Sequence, residues 1–409
     1  MSTEENVTQN DWEHVLLDSV AKRGSGHTPD KKHPEYWHGS IKWISLQDSA
    51  QLDALYIEDT AATITVEGIK NSSAVLHQKG TVVLSRDAGV GKSAIMGTDM
   101  AVSQHFMAWT CGQRLDNHFL YYWLQSKKPE FERIANGNTI KTIGLPYFKE
   151  LTIPLPPLEE QKRIASALSG IDTLISSLDQ LLSKKRAIQQ AAMQQLLTGQ
   201  RRLPGFNEEW DVKPMRALGN TYGGLAGKTK IDFGHGYARY IPFMNVMTNM
   251  VIDAGWLEPV DIAPDEAQNL AKKGDLLFNG SSETPEEVGF CSVLLEEIPN
   301  LYVNSFCFGF RFNAAAKVNG LFFAYWFRSK AGRAAMSVLA QGATRYNIAK
   351  SAFMQLEIPQ PLKEEQTAIA TFLADMGAEL AALEARRDKY LQIKQGMMQE
   401  LLIGRIRLV

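Results

Sequence analysis

The stretch Arg86-Asp87-Ala88-Gly89-Val90-Gly91-Lys92-Ser93 is where residue types and spacing come nearest to a known piece of chemistry. Gly-Lys-Ser closes a phosphate-binding loop when a glycine stands five residues earlier and a long helix follows, so that backbone amides and the lysine cradle the phosphates. Here Arg86 occupies the glycine's place, and Ala94-Ile95-Met96-Gly97 runs on like a strand. The stretch reads as a tight hairpin rather than a nucleotide site, with Arg86 and Lys92 kept as candidates for phosphate contact.

Other catalytic patterns also fall short. A fused amino-methyltransferase would carry an Asn/Asp-Pro-Pro-aromatic tetrapeptide and a strand-linked glycine-rich cofactor loop, and neither is present. His27, His33 and His38 lie close in sequence but lack the acidic partner spacing of a metal site, and read as loop histidines. Glu258, Asp261, Asp265 and Glu266 read as a solvated acidic loop, and Trp12 and Trp210 as core anchors. No residue is assigned a catalytic role, and no metal is expected.

The polar runs Asn136-Gly137-Asn138-Thr139-Ile140-Lys141-Thr142 and Gly342-Ala343-Thr344-Arg345-Tyr346-Asn347 lie between apolar segments. Asn and Arg can bond base edges bidentately, while Lys and backbone amides position on phosphate. For a chain that reads DNA, the candidate contacts are Arg86, Lys92, Asn136, Asn138, Lys141, Arg345 and Asn347. Asn279 joins them, at the end of the strand-like run Gly274-Asp275-Leu276-Leu277-Phe278-Asn279.

The elements that must position these residues are written twice. Leu151 to Leu203 is repeated at Leu356 to Leu408, with every matched pair 205 residues apart. Ile153-Pro154, Glu160-Gln161, Ile164-Ala165, Leu168, Leu196-Leu197 and Gly199 recur at Ile358-Pro359, Glu365-Gln366, Ile369-Ala370, Leu373, Leu401-Leu402 and Gly404. An internal repeat of this kind sets the architecture. Each copy predicts one long helix. Pro156 and Pro157 precede the first copy's start, Glu159 and Glu160 favour the positive end of the helix dipole, and Gly199 and Gly404 cap the far ends. Apolar residues fall in alternating steps of four and three. The first copy gives Ile164, Leu168, Ile171, Ile175, Leu178 and Leu182; the second gives Ile369, Leu373, Met376, Leu380 and Leu383, then Tyr390, Met397 and Leu401. That spacing is a coiled-coil seam, and a helix of about 40 residues is roughly 60 Å long. Two such helices are expected to pack antiparallel.

The segments between the helices share a plan too. Gly80-Thr81-Val82-Val83-Leu84-Ser85-Arg86 matches the Gly274 run, and Tyr121 to Lys127 matches Ala324 to Lys330. The offset between matching segments drifts from 198 at Trp12 and Trp210 to 194 at the glycine-led strands, then returns to 205, so the two halves carry different insertions. The expected fold class is α+β, with two similar mixed domains and two antiparallel coiled-coil helices in a circular, pseudo-two-fold repeat. The expected divisions are a first domain over 12–150, a helix over 151–203, a second domain over 204–355 and a helix over 356–409.

Composition sets outer limits. At 409 residues and 44% hydrophobic content the chain can bury two cores. A net charge of −2 and a pI near 6.5 give no bulk attraction for nucleic acid, so DNA binding must rest on local patches. Three widely spaced cysteines suggest neither a disulfide framework nor a zinc site. A polar, acidic N-terminus reads against a secretory signal, and no apolar run is long enough for a bilayer. A cytoplasmic location with no membrane partner is expected.

Taken together, the Ile-Pro-Leu-Pro-Pro-Leu-Glu-Glu-Gln-Lys-Arg-Ile-Ala run at 153–165, its echo at 358–370, the Leu-Leu-Thr-Gly and Leu-Leu-Ile-Gly helix ends and the linker Leu-Pro-Gly-Phe-Asn-Glu-Glu-Trp at 203–210 resemble the specificity subunit of type I restriction–modification enzymes. The resemblance covers nearly the whole chain. It implies two target-recognition domains, each reading half of a split, asymmetric DNA sequence, and helices that fix the spacer and dock two methyltransferase subunits. It also implies two motor-nuclease subunits in the complex. S-adenosylmethionine, ATP and Mg²⁺ would then be bound by the partners and none by this chain. In that family a similar Arg, Gly and Gly-Lys stretch commonly occupies the place of 86–92. Met193, Leu197, Met397, Met398 and Leu402 flank the seam near the helix ends and are candidates for partner binding, with packing on the neighbouring recognition domain as the alternative. A coiled-coil adaptor that binds proteins at both ends is the alternative for the whole chain.

Overall fold

The computed structural model describes residues 12–137 and 141–408. Its chain divides into two compact units. One takes the chain up to Asp179 together with Ala385 onward, and the other is Gln180–Glu384. Each unit therefore holds the start of one long helix and the end of the other.

In the first unit, a five-stranded sheet is ordered Ala21–Ser25, Phe106–Cys111, Val82–Ser85, Ser93–Met96 and Tyr56–Ile57. A four-stranded sheet is ordered Ala62–Ile64, Trp37–Ile44, Met100–Val102 and Leu76–His77. The helix Asn117–Ser126 packs inside: every residue from Phe119 to Leu124 is buried, as its unbroken apolar run requires. Strand Glu13–Leu16 pairs antiparallel with Thr152–Leu155, which closes the domain just before the long helix.

The second unit repeats this with local changes. A four-stranded sheet runs Gly219–Gly223, Cys307–Phe312, Leu276–Asn279 and Cys291–Val293, and a three-stranded sheet runs Glu258–Val260, Phe233–Ile241 and Leu301–Val303. Helix Gly320–Arg328 is the buried counterpart, with Phe322 to Phe327 all inside. Asp211–Pro214 pairs with Glu357–Gln360 as the closing strands do in the first unit. A small third sheet, Ser281–Ser282, Tyr346–Ile348 and Ala340–Gln341, stands where the first unit has the bridges Asp87–Thr142 and Asn136–Thr142.

The long helices span Leu158–Leu196 and Lys363–Leu401, 39 residues each. Gly199 and Gly404 take φ of +72° and +74°, the left-handed conformation that ends a helix, and Arg201 N and Arg405 N bond back to Gln195 O and Glu400 O. The seam positions of the first helix, Ile164, Leu168, Ile171, Ile175, Leu178 and Leu182, are buried or half-buried throughout. In the second helix the apolar steps break at positions 387 and 394. There Arg387 pairs with Asp179 at 3.7 Å and Lys394 with Asp172 at 2.6 Å. Moving seven residues along one helix moves seven back along the other, which is antiparallel packing within the first unit. In the second unit Lys185 pairs with Glu379 at 2.7 Å.

Each helix start is locked to its domain by the same three residues. Glu160 receives Arg407 and Trp12, and Glu365 receives Arg202 and Trp210. Each arginine also lies 5.4 Å from the centroid of its tryptophan ring. Gln161 and Gln366, both fully buried, bond the backbone at Asp116 and Asn319, which cap the buried aromatic helices. The Glu-Gln pair of the repeat is a joint between helix and domain.

Leu197 and Leu402 are fully buried in the cores of their own units, with Met193, Met397 and Met398 packed half-buried against those cores. For Leu197 and Leu402 this is the packing on the neighbouring recognition domain that was the alternative to partner binding, because the domain that follows or precedes each helix end covers them. Met398 also lines a groove of about 680 Å³ in the first unit, beside Leu391 and Ile403, and keeps an open side.

Candidate nucleic-acid interface

Three backbone hydrogen bonds build the same frame in each unit. In the first, His27 N donates to Val102 O (3.1 Å), Arg86 N to His105 O (3.0 Å) and Ile143 N to Arg86 O (3.0 Å). In the second, Leu225 N donates to Val303 O (2.8 Å), Gly280 N to Phe306 O (2.8 Å) and Ile348 N to Gly280 O (3.2 Å). These bonds gather four segments on one face: the connection after an edge strand, the tight turn 103–105 or 304–306, the hairpin loop, and the polar loop before the last short helix. Gly26 and Gly224 make the close approach possible. A Cβ on either would stand about 2 Å or less from a backbone atom of the tight turn's strand, 1.6 Å from Val102 O and 2.1 Å from Asn304 O.

The backbone frame is shared and the side chains on it differ. In the first unit a polar chain crosses the face. Thr28 Oγ1 donates to Gln104 Oε1 (2.6 Å), Gln104 Nε2 meets His105 Nε2 (3.4 Å), and His105 Nδ1 meets Asp87 Oδ2 (2.7 Å). Beside it lies a groove of about 370 Å³ edged by Lys31, Trp37, Trp43 and Gln47. In the second unit the tight turn carries Phe306, 57% exposed, and the groove beside it is about 620 Å³.

The sequence-derived candidates sort by what their atoms already do. Arg86 is largely buried, its Nε facing Asp87 Oδ1 at 3.5 Å without a hydrogen bond. Lys92 Nζ donates to Ser49 O (3.0 Å) and pins the hairpin. Gly89 and Gly91 take φ of +115° and +85° between antiparallel strands, a hairpin turn and not the strand-to-helix turn of a phosphate-binding loop. Asn136 and Lys141 are exposed at the polar loop, whose neck is closed by paired bonds between Asn136 and Thr142. Asn138 lies outside the described residues. Arg345 and Asn347 are exposed, with Asn347 Nδ2 donating to Arg345 O (3.3 Å).

Asn279 has no exposed surface to offer a duplex. Its amide donates to Ser281 O and Glu287 O and accepts from Phe290 N (2.6 Å), which shapes the hairpin loop from within. Arg333 clamps the same loop from outside, donating to Gly289 O and Glu286 O at 2.8 Å and to Val288 O. Burial, with the like charge of Arg328, lowers its pKa to about 10. The second unit's loop is thus a rigid platform.

Nothing in the sequence pattern singled out Gln104, His105 or Phe306. The available signal was the repeated order of apolar strand, three-residue turn and apolar strand, Val102-Ser-Gln-His-Phe106 and Val303-Asn-Ser-Phe-Cys307. Among the described residues no group of three or more His, Cys, Asp or Glu is placed to hold a metal ion, and no helix is long and apolar enough to cross a membrane.

One mixed fold used twice, with a common backbone frame and unlike side chains on the exposed face, defines a class of duplicated recognition proteins. The sequence pattern of the type I restriction modification DNA specificity domain matches residues 9–184 and 260–393, and the chain belongs to that family of specificity subunits. It is 24% identical over 420 residues to the type I restriction enzyme MjaVIII specificity subunit of Methanocaldococcus jannaschii, a match covering 97% of this chain and 93% of the relative. It is 31% identical over 169 residues to the MjaIX specificity subunit of the same organism, where the match spans 41% of this chain and 39% of the relative. In fold it is similar to the S subunit of a type I restriction–modification system from M. genitalium, with TM-score 0.57, 15% identity and 98% of each chain covered. A structure described as showing complex assembly and conformational transition of the type I system gives TM-score 0.60 at 16% identity, over 97% of this chain and 98% of that one.

Proposed function

We propose that this chain supplies DNA sequence specificity to a type I restriction–modification complex. The recognition domains at 12–150 and 204–355 each read one half of a bipartite, asymmetric target. The long helices set the spacer and dock two methyltransferase subunits that methylate adenine at N6 with S-adenosylmethionine. Two motor subunits cleave unmodified DNA with ATP and Mg²⁺. This chain positions the partners and carries no step of the chemistry itself, and it works in the cytoplasm.

The observation that carries the reading is the duplicated frame: identical backbone bonds around a face that holds Gln104 and His105 in one unit and Phe306 and Arg345 in the other. A protein that read a symmetric site would need the same side chains twice. Two unlike faces on one scaffold suit two unlike half-sites. Equal 39-residue helices, joined to their domains by matched Glu–Arg–Trp and Gln contacts, suit a fixed spacing.

The test is to map adenine methylation across the host genome with and without this gene. Loss of one split motif on deletion supports the reading. If no methylated motif changes, the reading fails and the adaptor alternative takes its place.

A further inference from the structure

The groove on the second unit's face has a composition that a phosphate backbone does not explain. Part of its lining is apolar: Phe306 with Phe243, Met244 and Met247. Phe306 and Met244 are 57% and 49% exposed. The rest is polar: Ser281, Ser282, Asn304 and Arg345, with the carboxylates of Glu283 and Glu287. Carboxylates repel phosphate, but they accept hydrogens from the exocyclic amino group of a base. An apolar, aromatic wall gains nothing from phosphate and stacks on a base face. The apolar and the carboxylate-bearing parts of the lining together fit a nucleobase that carries an amino group.

The ring is held in place for this. Asn304 Oδ1 accepts from Phe306 N (2.9 Å), Cys307 N donates to Asn304 O (2.9 Å) and Gly280 N donates to Phe306 O (2.8 Å), so the turn that displays the ring is fixed on both sides. Glu287 Oε2 accepts from Ser282 Oγ (3.2 Å), which restrains one carboxylate of the lining. The first unit has His105 at the same point of the frame, tied at 2.7 Å to Asp87. The second unit puts there a side chain that can only make apolar and stacking contacts.

We propose that the second recognition domain holds an amino-bearing base of its half-site out of the duplex stack, lying against Phe306 with its amino edge toward Glu287 or Glu283. This rests on the DNA-specificity reading above and adds to it an unstacking step confined to one half-site. Pulling a base from the stack is least costly at weakly stacked steps, so the groove would select sequence by deformability as well as by hydrogen bonds.

The test uses the whole complex, purified through a tag on this chain from its own host, and duplexes carrying the motif that methylation mapping assigns to it. 2-Aminopurine is substituted at each position of both halves in turn, and its fluorescence reports loss of stacking at or beside that position. The expected result is a rise at a position in one half that disappears with Phe306→Ala and survives Phe306→Tyr. With the same variants, affinity for the motif should fall roughly five- to 150-fold for Phe306→Ala, the range of losing one aromatic stack, while affinity for a duplex lacking the motif stays unchanged. A wild-type complex that binds the motif selectively with no unstacked position outside the methylated adenine overturns this inference and leaves the DNA-specificity reading intact. A rise that persists in Phe306→Ala also overturns it. Loss of partner subunits from the purified Phe306→Ala complex, with unstacking unaffected, would mark Phe306 as a protein contact instead. A wild-type complex with no selective binding overturns the DNA-specificity reading itself.

Discussion

Arg407 Nε and Nη2 each lie 2.8 Å from a different oxygen of Glu160, across 247 residues of chain, and Arg202 makes the same fork to Glu365 at 2.5 and 2.6 Å. Glu160 and Glu365 are almost completely buried, and each arginine supplies the paired hydrogen bonds that its carboxylate needs there. Arg407→Ala is therefore expected to destabilise the first unit by about 2 kcal/mol, below the usual cost of breaking a buried pair because the arginine is itself partly exposed. Arg202→Ala should do the same to the second unit. Urea unfolding followed by intrinsic tryptophan fluorescence checks both, since Trp12 and Trp210 report on their own joints.

The pH dependence of the first joint has a definite sign. The side-chain bond from Arg407 holds the Glu160 carboxyl below its ordinary value. A carboxyl lowered on folding contributes stability that is complete above its unfolded value, about 4.3, and that is lost as pH falls through the folded value. Glu160→Gln removes this contribution at neutral pH and has nothing further to lose in acid. The stability gap between wild type and Glu160→Gln is expected to narrow steadily below about pH 4.3, as read from urea midpoints at each pH.

Gln161 and Gln366 occupy matched positions but carry unequal loads. Gln161 Nε2 donates to Arg114 O (2.9 Å) and Pro156 O (2.8 Å) while its Oε1 accepts from Asp116 N (2.8 Å). Gln366 makes the bond to Pro361 O and accepts from Asn319 N, each at 2.8 Å. Replacing either with Leu strands buried backbone groups at about 1–3 kcal/mol apiece. Gln161→Leu should be the more damaging of the two, by about 1 kcal/mol or more, and equilibrium unfolding of the two variants decides it.

The long helices and the duplicated plan were legible in the sequence because heptad spacing, glycine caps and a constant offset are local signals that burial in either unit must respect. Even the breaks in the second seam had a local cause, since Arg387 and Lys394 fill seam positions as charges and find Asp179 and Asp172 opposite. The polar loops were legible as loops, and Asn136, Lys141, Arg345 and Asn347 are exposed there. Exposure of Phe306 was not legible. A phenylalanine between Val303 and Cys307 has the pattern of a buried strand residue, and only the turn fixed by Asn304 brings it to the surface. Asn279 shows the reverse: its residue type suits base reading, yet the longer hairpin loop of the second unit needs its amide inside. Leu197 and Leu402 look available on an isolated helix and are covered only because each domain core reaches the helix end.

That contrast separates two kinds of polar residue on the second face. Asn279 is fully buried with three loop-closing bonds, so Asn279→Ala is expected to cost about 2–3 kcal/mol of stability and to weaken recognition only by loosening the loop. Arg345 and Asn347 are exposed, and Asn347 Nδ2 donates to the neighbouring Arg345 carbonyl. Arg345→Ala and Asn347→Ala should leave stability within about 0.5 kcal/mol. If Arg345 faces phosphate, its loss should lower affinity evenly across sequences and reduce the salt slope by about one; if it faces a base, discrimination at one position should relax instead. Titrating the intact complex on motif and motif-free duplexes over a range of salt, beside unfolding curves for all three variants, distinguishes these outcomes. A stable Asn279→Ala variant with selectively lost recognition would mean that the loop's interior amide takes part in reading after all.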